Sequence, residues 1–194
     1  MPVPTPQPRL ARRERAIRAA ARLLEHGGPT ACTATSVAPA AALSRRELSQ
    51  AFTHAEELLG LAARRLATQF LDRVEDAAAA ANDPLEALWA ASETYLRLAL
   101  RHPAGGPVAG FDAATGPGSE PIAAAAVELA MRTERFFANL MAAIGLPHDT
   151  TIATAWLATL DGFVLRQRRT PRSLEAMLDA LARAFTLPQP AATG

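Results

Sequence analysis

Apolar residues recur along this chain at three- and four-residue intervals, the period of helices that each bury one face. From about Arg9, the positions Leu10, Ile17, Ala20, Ala21 and Leu24 form a stripe opposite Arg12, Arg15, Arg18 and Arg22, and Gly27-Gly28-Pro29 ends that helix. Thr33 then stands ahead of Val37, Ala38 and Ala41, and Ser44 ahead of Leu48 and Phe52. Two short helices are expected there, with the Ala42–Leu43 step as the turn between them. A longer helix from about Ala55 to Ala80 gathers Leu59, Ala62, Leu66, Phe70 and Val74 on one face. Asp83-Pro84-Leu85-Glu86 combines an N-cap, a proline at the first helical position and a first-turn acid, so it starts the next helix. That helix carries Leu88, Trp89, Ser92, Leu96 and Ala99 and stops at His102-Pro103.

Residues 104–118 hold five glycines and two prolines and read as a loop around one short turn at Phe111. Ser119 is the expected cap of a helix carrying Ile122, Ala126, Leu129, Phe136, Phe137, Leu140 and Ile144, with Gly145 as its left-handed stop. A further helix from Thr150 to Arg169 carries Ile152, Trp156, Leu160, Phe163 and Val164. Thr170-Pro171 is the expected cap of the last, whose Leu174, Met177, Leu178, Leu181 and Phe185 trace one stripe. The predicted plan is three short helices followed by five or six longer ones, with no internal repeat.

Composition narrows the class without changing that plan. Aromatic residues make up 5% of the 194, β-branched residues are few, and alanine, the best helix former, supplies roughly a quarter. The expected fold class is all-α: an N-terminal three-helix unit followed by a helical bundle. All 20 basic residues are arginine, and residues 1–65 hold ten of them against five glutamates. A basic N-terminal third on a chain of net charge +1 suits a local polyanion site. The single cysteine, Cys32, excludes an internal disulfide or a CxxC motif. No apolar run of about 18 residues suggests a membrane span, and no signal-peptide core opens the chain, so a cytoplasmic location is expected.

The most informative stretch is Ser44–Phe52, SRRELSQAF. Ser44 and Glu47 have the spacing of a capping box. Leu48 and Phe52 fall on one side of the helix, and Arg45, Arg46, Ser49 and Gln50 on the other. Such a helix packs its back on a small core and presents guanidinium and amide groups to base edges. With the short helix before it, the unit reads as helix-turn-helix.

The stretch Thr33-x-x-x-Val37-Ala38-x-x-Ala41-Ala42-Leu43-Ser44-x-x-x-Leu48-x-x-x-Phe52, followed by Glu57-Leu58, resembles the TetR family of transcriptional regulators. Leu160-Asp161-Gly162-Phe163 is similar, more weakly, to a step in that family's eighth helix. The motif-level likeness covers about the first 60 residues. It implies a homodimer reading a palindrome, a four-helix dimer interface from the last two helices of each subunit, and a ligand pocket inside the C-terminal bundle. The chain departs from the pattern at Ser49, Ala51 and Ala55, positions that often touch phosphate in the family, and Pro39 is expected to delay or kink the second helix. The nonapeptide also resembles the helix-turn-helix of AraC-type regulators, a unit that usually ends those chains, so its place here favours TetR.

The expected layout is a flexible arm at 1–8, a DNA-binding unit at 9–54, a regulatory and dimerisation domain at 55–187 and a loose tail at 188–194. Arg45 and Arg46 are the first candidates for contact with duplex DNA, with Ser49 and Gln50 second. Thr33 and Ser44 offer capped amides to phosphate, His54 a donor, and Arg9, Arg12 and Arg13 a route from the arm to the minor groove or backbone. For a small-molecule effector the candidates are Trp89, Tyr95, Phe111, Met131, Phe137 and Met141, with Glu93, Arg97 and Glu128 as polar partners. For a homodimer they are Trp156, Phe163, Leu178, Leu181 and Phe185.

No metal-ligand spacing, phosphate loop or nucleophile motif is present, so neither enzyme activity, metal nor cofactor is expected. The expected function is a ligand-responsive repressor, released from its operator by an apolar or aromatic molecule. The alternative is a helical dimer binding a small molecule or protein, its head no longer binding DNA.

Overall fold

The computed structural model describes residues 6–101, 120–147, 150–167 and 169–188. Eight α-helices and one 3₁₀ turn make up its regular structure: α1 (Pro6–Gly27), the turn Pro29–Ala31, α2 (Ala34–Ala40), α3 (Arg45–Ala51), α4 (Ala55–Ala79), α5 (Pro84–Arg101), α6 (Glu120–Ala143), α7 (Thr150–Gln167) and α8 (Leu174–Phe185). The fold is all-α. Among the described residues no helix is long and apolar enough to cross a membrane.

Packing divides the described chain into two compact units: residues 6–68 with 120–128, and residues 69–101 with 129–188. The first therefore runs past residue 54 into α4 and takes in the start of α6. Its core joins Ala16, Ala19 and Ala20 of α1 to Val37 and Ala38 of α2, Leu48 and Ala51 of α3, and Leu58 and Ala62 of α4. Small side chains on α1 let three helices approach closely around one short core. Gly60 serves the same end where α4 meets α6, because a Cβ there would lie 2.7 Å from Cβ of Pro121. Arg64 and Glu128 pair across the same junction at 3.5 Å.

The second unit is built on aromatic rings. Phe70 and Phe137 each meet Tyr95 edge-on, and Trp89, Trp156 and Phe185 stack in sequence. Its buried polar groups are satisfied: Trp156 Nε1 donates to Ser92 Oγ at 3.0 Å, and Ser92 donates in turn to the Leu88 carbonyl. Tyr95 donates to Asp161 at 2.6 Å, and Trp89 Nε1 to the Pro188 carbonyl at 2.9 Å. Burial, then the Asp161 charge and hydrogen bond, raise the Tyr95 hydroxyl well above its ordinary range.

The caps explain most of the boundaries. Asp83 accepts from the Glu86 amide at 2.8 Å, so α5 starts where the sequence indicates. Gly145, at φ 86, ends α6 with Gly145 donating to Ala142 and Leu146 to Met141, the paired bonds of a Schellman motif.

Other expectations are corrected. The first helix begins at Pro6, not near Arg9, and at 22 residues it is not short. Leu10 does not join its apolar face but is 64% exposed, six residues before Ala16, the first core position of α1. Ser173, not Thr170, caps α8 by accepting from the Ala176 amide. Pro39 does not delay α2, which starts at Ala34; standing one residue from the end, it forfeits one bond at an exposed position. Residues 1–5, the loop at 104–118 with Phe111, the Ser119 cap and most of the tail lie outside the described residues.

Candidate nucleic-acid interface

The interface is built from α3 and its two supports. Thr33 accepts from the Ser36 amide and starts α2, and Ser44 accepts from the Glu47 amide at 3.2 Å and starts α3. Glu47 answers through Oε2, accepting from the Ser44 amide at 2.9 Å. Both capping boxes are complete. Between them the chain reverses in a second Schellman motif: Ala42 donates to the Pro39 carbonyl at 3.0 Å and Leu43 to the Ala38 carbonyl at 2.9 Å. Ala42 takes the left-handed conformation there, at φ 53, a position that ordinarily favours glycine.

Adjacent arginines of α1 then hold the two ends of α3. Arg12 pairs with Glu47 at 3.5 Å, one turn into the helix. Arg13 donates to the carbonyl of Ala51, the last helical residue, at 2.6 Å, lays its guanidinium over the Phe52 ring and pairs with Glu57 at the start of α4. Arg15 donates to the Ala41 carbonyl at 3.3 Å, closing the end of α2. The Ser44 hydrogen bonds, and behind them the charges of Arg12 and Arg15, hold the Glu47 carboxyl below its ordinary value of 4.5.

Arg12 and Arg13, expected to reach the minor groove or the backbone from the arm, are engaged with α3 instead. Their side chains are committed to α3, because α1 lies against that helix from its first turns. The spacing of these pairs, 35 to 44 residues in sequence, hides them from any local pattern. Arg9 is exposed in the first turn of α1, in a helix and not on an extended arm.

The opposite side of α3 faces outward. Arg45, Arg46, Ser49 and Gln50 are all exposed, as are Thr33, Ser44 and His54. Arg45 donates to Thr35 Oγ1 of α2 at 3.2 Å, which adds Thr35 to this surface, a residue the sequence reading passed over. Ser49 donates to the Arg46 carbonyl, so its hydroxyl turns back onto its own helix. Leu48, Ala51 and Phe52 are buried beneath. Arginine and amide side chains stand on the outer face of a helix anchored at both ends, the arrangement that phosphate and base-edge recognition requires.

In the second unit, Trp89, Tyr95, Phe137 and Met141 are buried in the packed core. Met131 is 59% exposed on α6, which removes it from any interior wall. Glu93 and Arg97 pair with each other one turn apart on α5, and Glu128 is paired with Arg64 in the first unit. A cleft of about 260 Å³ lies instead along α7 and the start of α8, lined by Thr159, Gly162, Phe163, Arg166, Arg172 and Met177, among others. Of the residues expected at a dimer interface, Trp156 and Leu181 are fully buried in the core of the second unit. Phe163, Leu178 and Phe185 are half-buried, and Leu165, also on α7, is 63% exposed.

Burial also silences Cys32. Its thiol, which donates to the Ala20 carbonyl, is pushed up to about 11.

No protein-family model and no curated protein matches the chain. Solved structures do. A transcriptional regulator from Rhodococcus sp. Rha1 is 25% identical, with 89% of this chain and 94% of that chain covered at a TM-score of 0.69. A TetR-family transcriptional regulator from Streptomyces coelicolor is 13% identical, covering 91% and 87% at a TM-score of 0.66. The multidrug binding protein EbrR, solved with imidazole, is 27% identical over 94% and 98% at a TM-score of 0.60. Helix order, the paired short helices and these matches agree: the chain has the fold of the TetR-family transcriptional regulators.

Proposed function

We propose that this chain is a DNA-binding transcriptional regulator, a repressor that reads a palindromic operator as a homodimer and leaves it when a small apolar or aromatic molecule binds. One observation carries the reading: Arg45, Arg46 and Gln50 stand exposed on a helix whose two ends are fixed by Arg12 and Arg13. Such fixing removes the ordering cost that a loose helix would meet on binding. The half-exposed Phe163, Leu178 and Phe185 on α7 and α8 supply an apolar surface for the second subunit. The cleft along α7 and α8, with Phe163 and Met177 in its lining, offers an apolar or aromatic effector a place, and EbrR, of similar fold, was solved with imidazole. An effector that favours one arrangement of those helices shifts the population toward it and so alters operator affinity.

Selection from a pool of random duplexes, read at two salt concentrations, tests this. Recovery of an inverted repeat supports it. Binding that is salt-sensitive but indifferent to sequence, or no binding at all, overturns it. The second outcome favours a helical ligand-binding dimer whose head has lost DNA recognition. The Ser49 hydroxyl, spent on the Arg46 carbonyl of its own helix, and the small, buried Ala51 are the observations on its side.

A further inference from the structure

A second arginine-lined surface lies on the first unit, apart from the outer face of α3. Arg15, Arg18 and Arg22, spaced three and four residues apart on α1, line a groove of about 310 Å³ whose opposite wall is Ala40, Ala41 and Ala42. All three arginines are exposed. No acidic side chain lines the groove. Arg15 spends its Nε on the Ala41 carbonyl, which fixes the guanidinium; its charge also acts on Glu47 of α3, while its terminal nitrogens face the groove. Arg18 faces Glu14 at 3.7 Å, but the same Glu14 oxygen is held by Arg65 at 2.6 Å, so one carboxylate is divided between two guanidinium groups. Exposed pairs of that length contribute little. The α2 end needs one cation to close its carbonyls, and Arg15 supplies it. Arg18 and Arg22 exceed that need.

The alanine wall is part of the arrangement. Small side chains at 40–42 leave the groove open, where larger ones would fill it. The three guanidinium groups span about 10 Å along α1 at roughly 1.5 Å per residue. Phosphates of one DNA strand recur at about 3.4 Å along the duplex axis, so a row of this length spans about three phosphate steps. Arginine forks bind phosphate oxygens in pairs.

We propose that this groove binds phosphate, either the DNA backbone flanking the sequence read by α3 or a free oligophosphate. The duplex alternative rests on the DNA-binding reading above; the free-phosphate alternative does not. Neither Arg18 nor Arg22 touches α3, so Arg18→Gln/Arg22→Gln removes two charges without disturbing the helix supports. Circular dichroism and thermal unfolding confirm the fold of each variant. Duplex affinity is measured across a salt series, and tripolyphosphate binding to the DNA-free protein by calorimetry.

If the groove holds duplex phosphate, the double variant lowers the slope of log affinity against log salt by about 1.8, while Arg18→Lys/Arg22→Lys keeps it. An unchanged slope with loss of tripolyphosphate binding assigns the groove to a free phosphate ligand. If the natural chain binds no duplex yet holds tripolyphosphate through these arginines, the DNA-binding reading fails and the groove stands. An unaltered slope together with unaltered or absent tripolyphosphate binding overturns the proposal, as does an equal fall in the glutamine and lysine variants.

Discussion

The guanidinium of Arg13 lies 4.4 Å from the centre of the Phe52 ring. Through that stack and its bond to the Ala51 carbonyl, one side chain of α1 fixes the C-terminal end of α3. A hydrogen bond from a charged donor contributes about 1.5–3 kcal/mol and a stacked cation about 0.5–1 kcal/mol. Arg13→Ala is therefore expected to destabilise the first unit by about 2–4 kcal/mol. Arg13→Lys recovers only part, because an ammonium offers no planar face to the ring. Urea unfolding of the three proteins measures this, and equal midpoints would show that the stack contributes nothing.

Glu47 makes the opposite end of α3 sensitive to acid. Its carboxyl is held below 4.5 in the folded chain, so the stabilisation is present above that pH and lost as pH falls through the lowered folded value. Glu47→Gln keeps the shape without the charge. The stability difference between the natural chain and this variant should shrink steadily below pH 4.5. A difference independent of pH would mean that the Ser44 and Arg12 contacts do not favour the ionised form.

The turn between α2 and α3 carries strain of known kind. Ala42 holds φ 53 where a Cβ meets the following carbonyl, at a cost of about 1–2 kcal/mol. Glycine removes that cost but adds about 0.4–1 kcal/mol of unfolded-chain entropy. The first effect is the larger. Ala42→Gly should raise stability by about 0.5–1 kcal/mol, seen as a higher urea midpoint with an unchanged slope; a fall would place the residue outside the left-handed region.

Ser92 tests the second unit. It is fully buried, and its hydroxyl receives the indole N–H of Trp156. Ser92→Ala gains a few tenths of a kcal/mol in helix propensity but leaves that buried donor unpaired, at about 1–3 kcal/mol. Net destabilisation is expected, read by denaturant unfolding and by a shifted tryptophan emission. A variant as stable as the natural chain would show that the indole finds another acceptor.

Local chemistry made much of this fold legible in sequence. Ser44 with Glu47, Asp83 with Glu86, and Gly145 are signals spanning three or four residues, and the caps stand where those residues are. The exposure of Arg45, Arg46 and Gln50 followed from helical periodicity alone. What stayed hidden depends on distant partners. Arg12 and Arg13 look like members of a solvated face until Glu47, Ala51 and Phe52 arrive from 35 or more residues away. Trp156 and Leu181 share a stripe with residues that reach the surface, and only packing decides which of them fill the core. Ser173 displaced Thr170 as a cap because α8 begins three residues later than the proline signal suggests.

The central claim is that the outer face of α3 reads base sequence. Affinity of the natural chain and of Arg46→Ala, each measured on the selected duplex and on a scrambled one at a single salt concentration, tests it most directly. Loss of about 1–3 kcal/mol on the selected duplex, with little change on the scrambled one, is the expected result. Equal affinity of the two proteins for the selected duplex would contradict it.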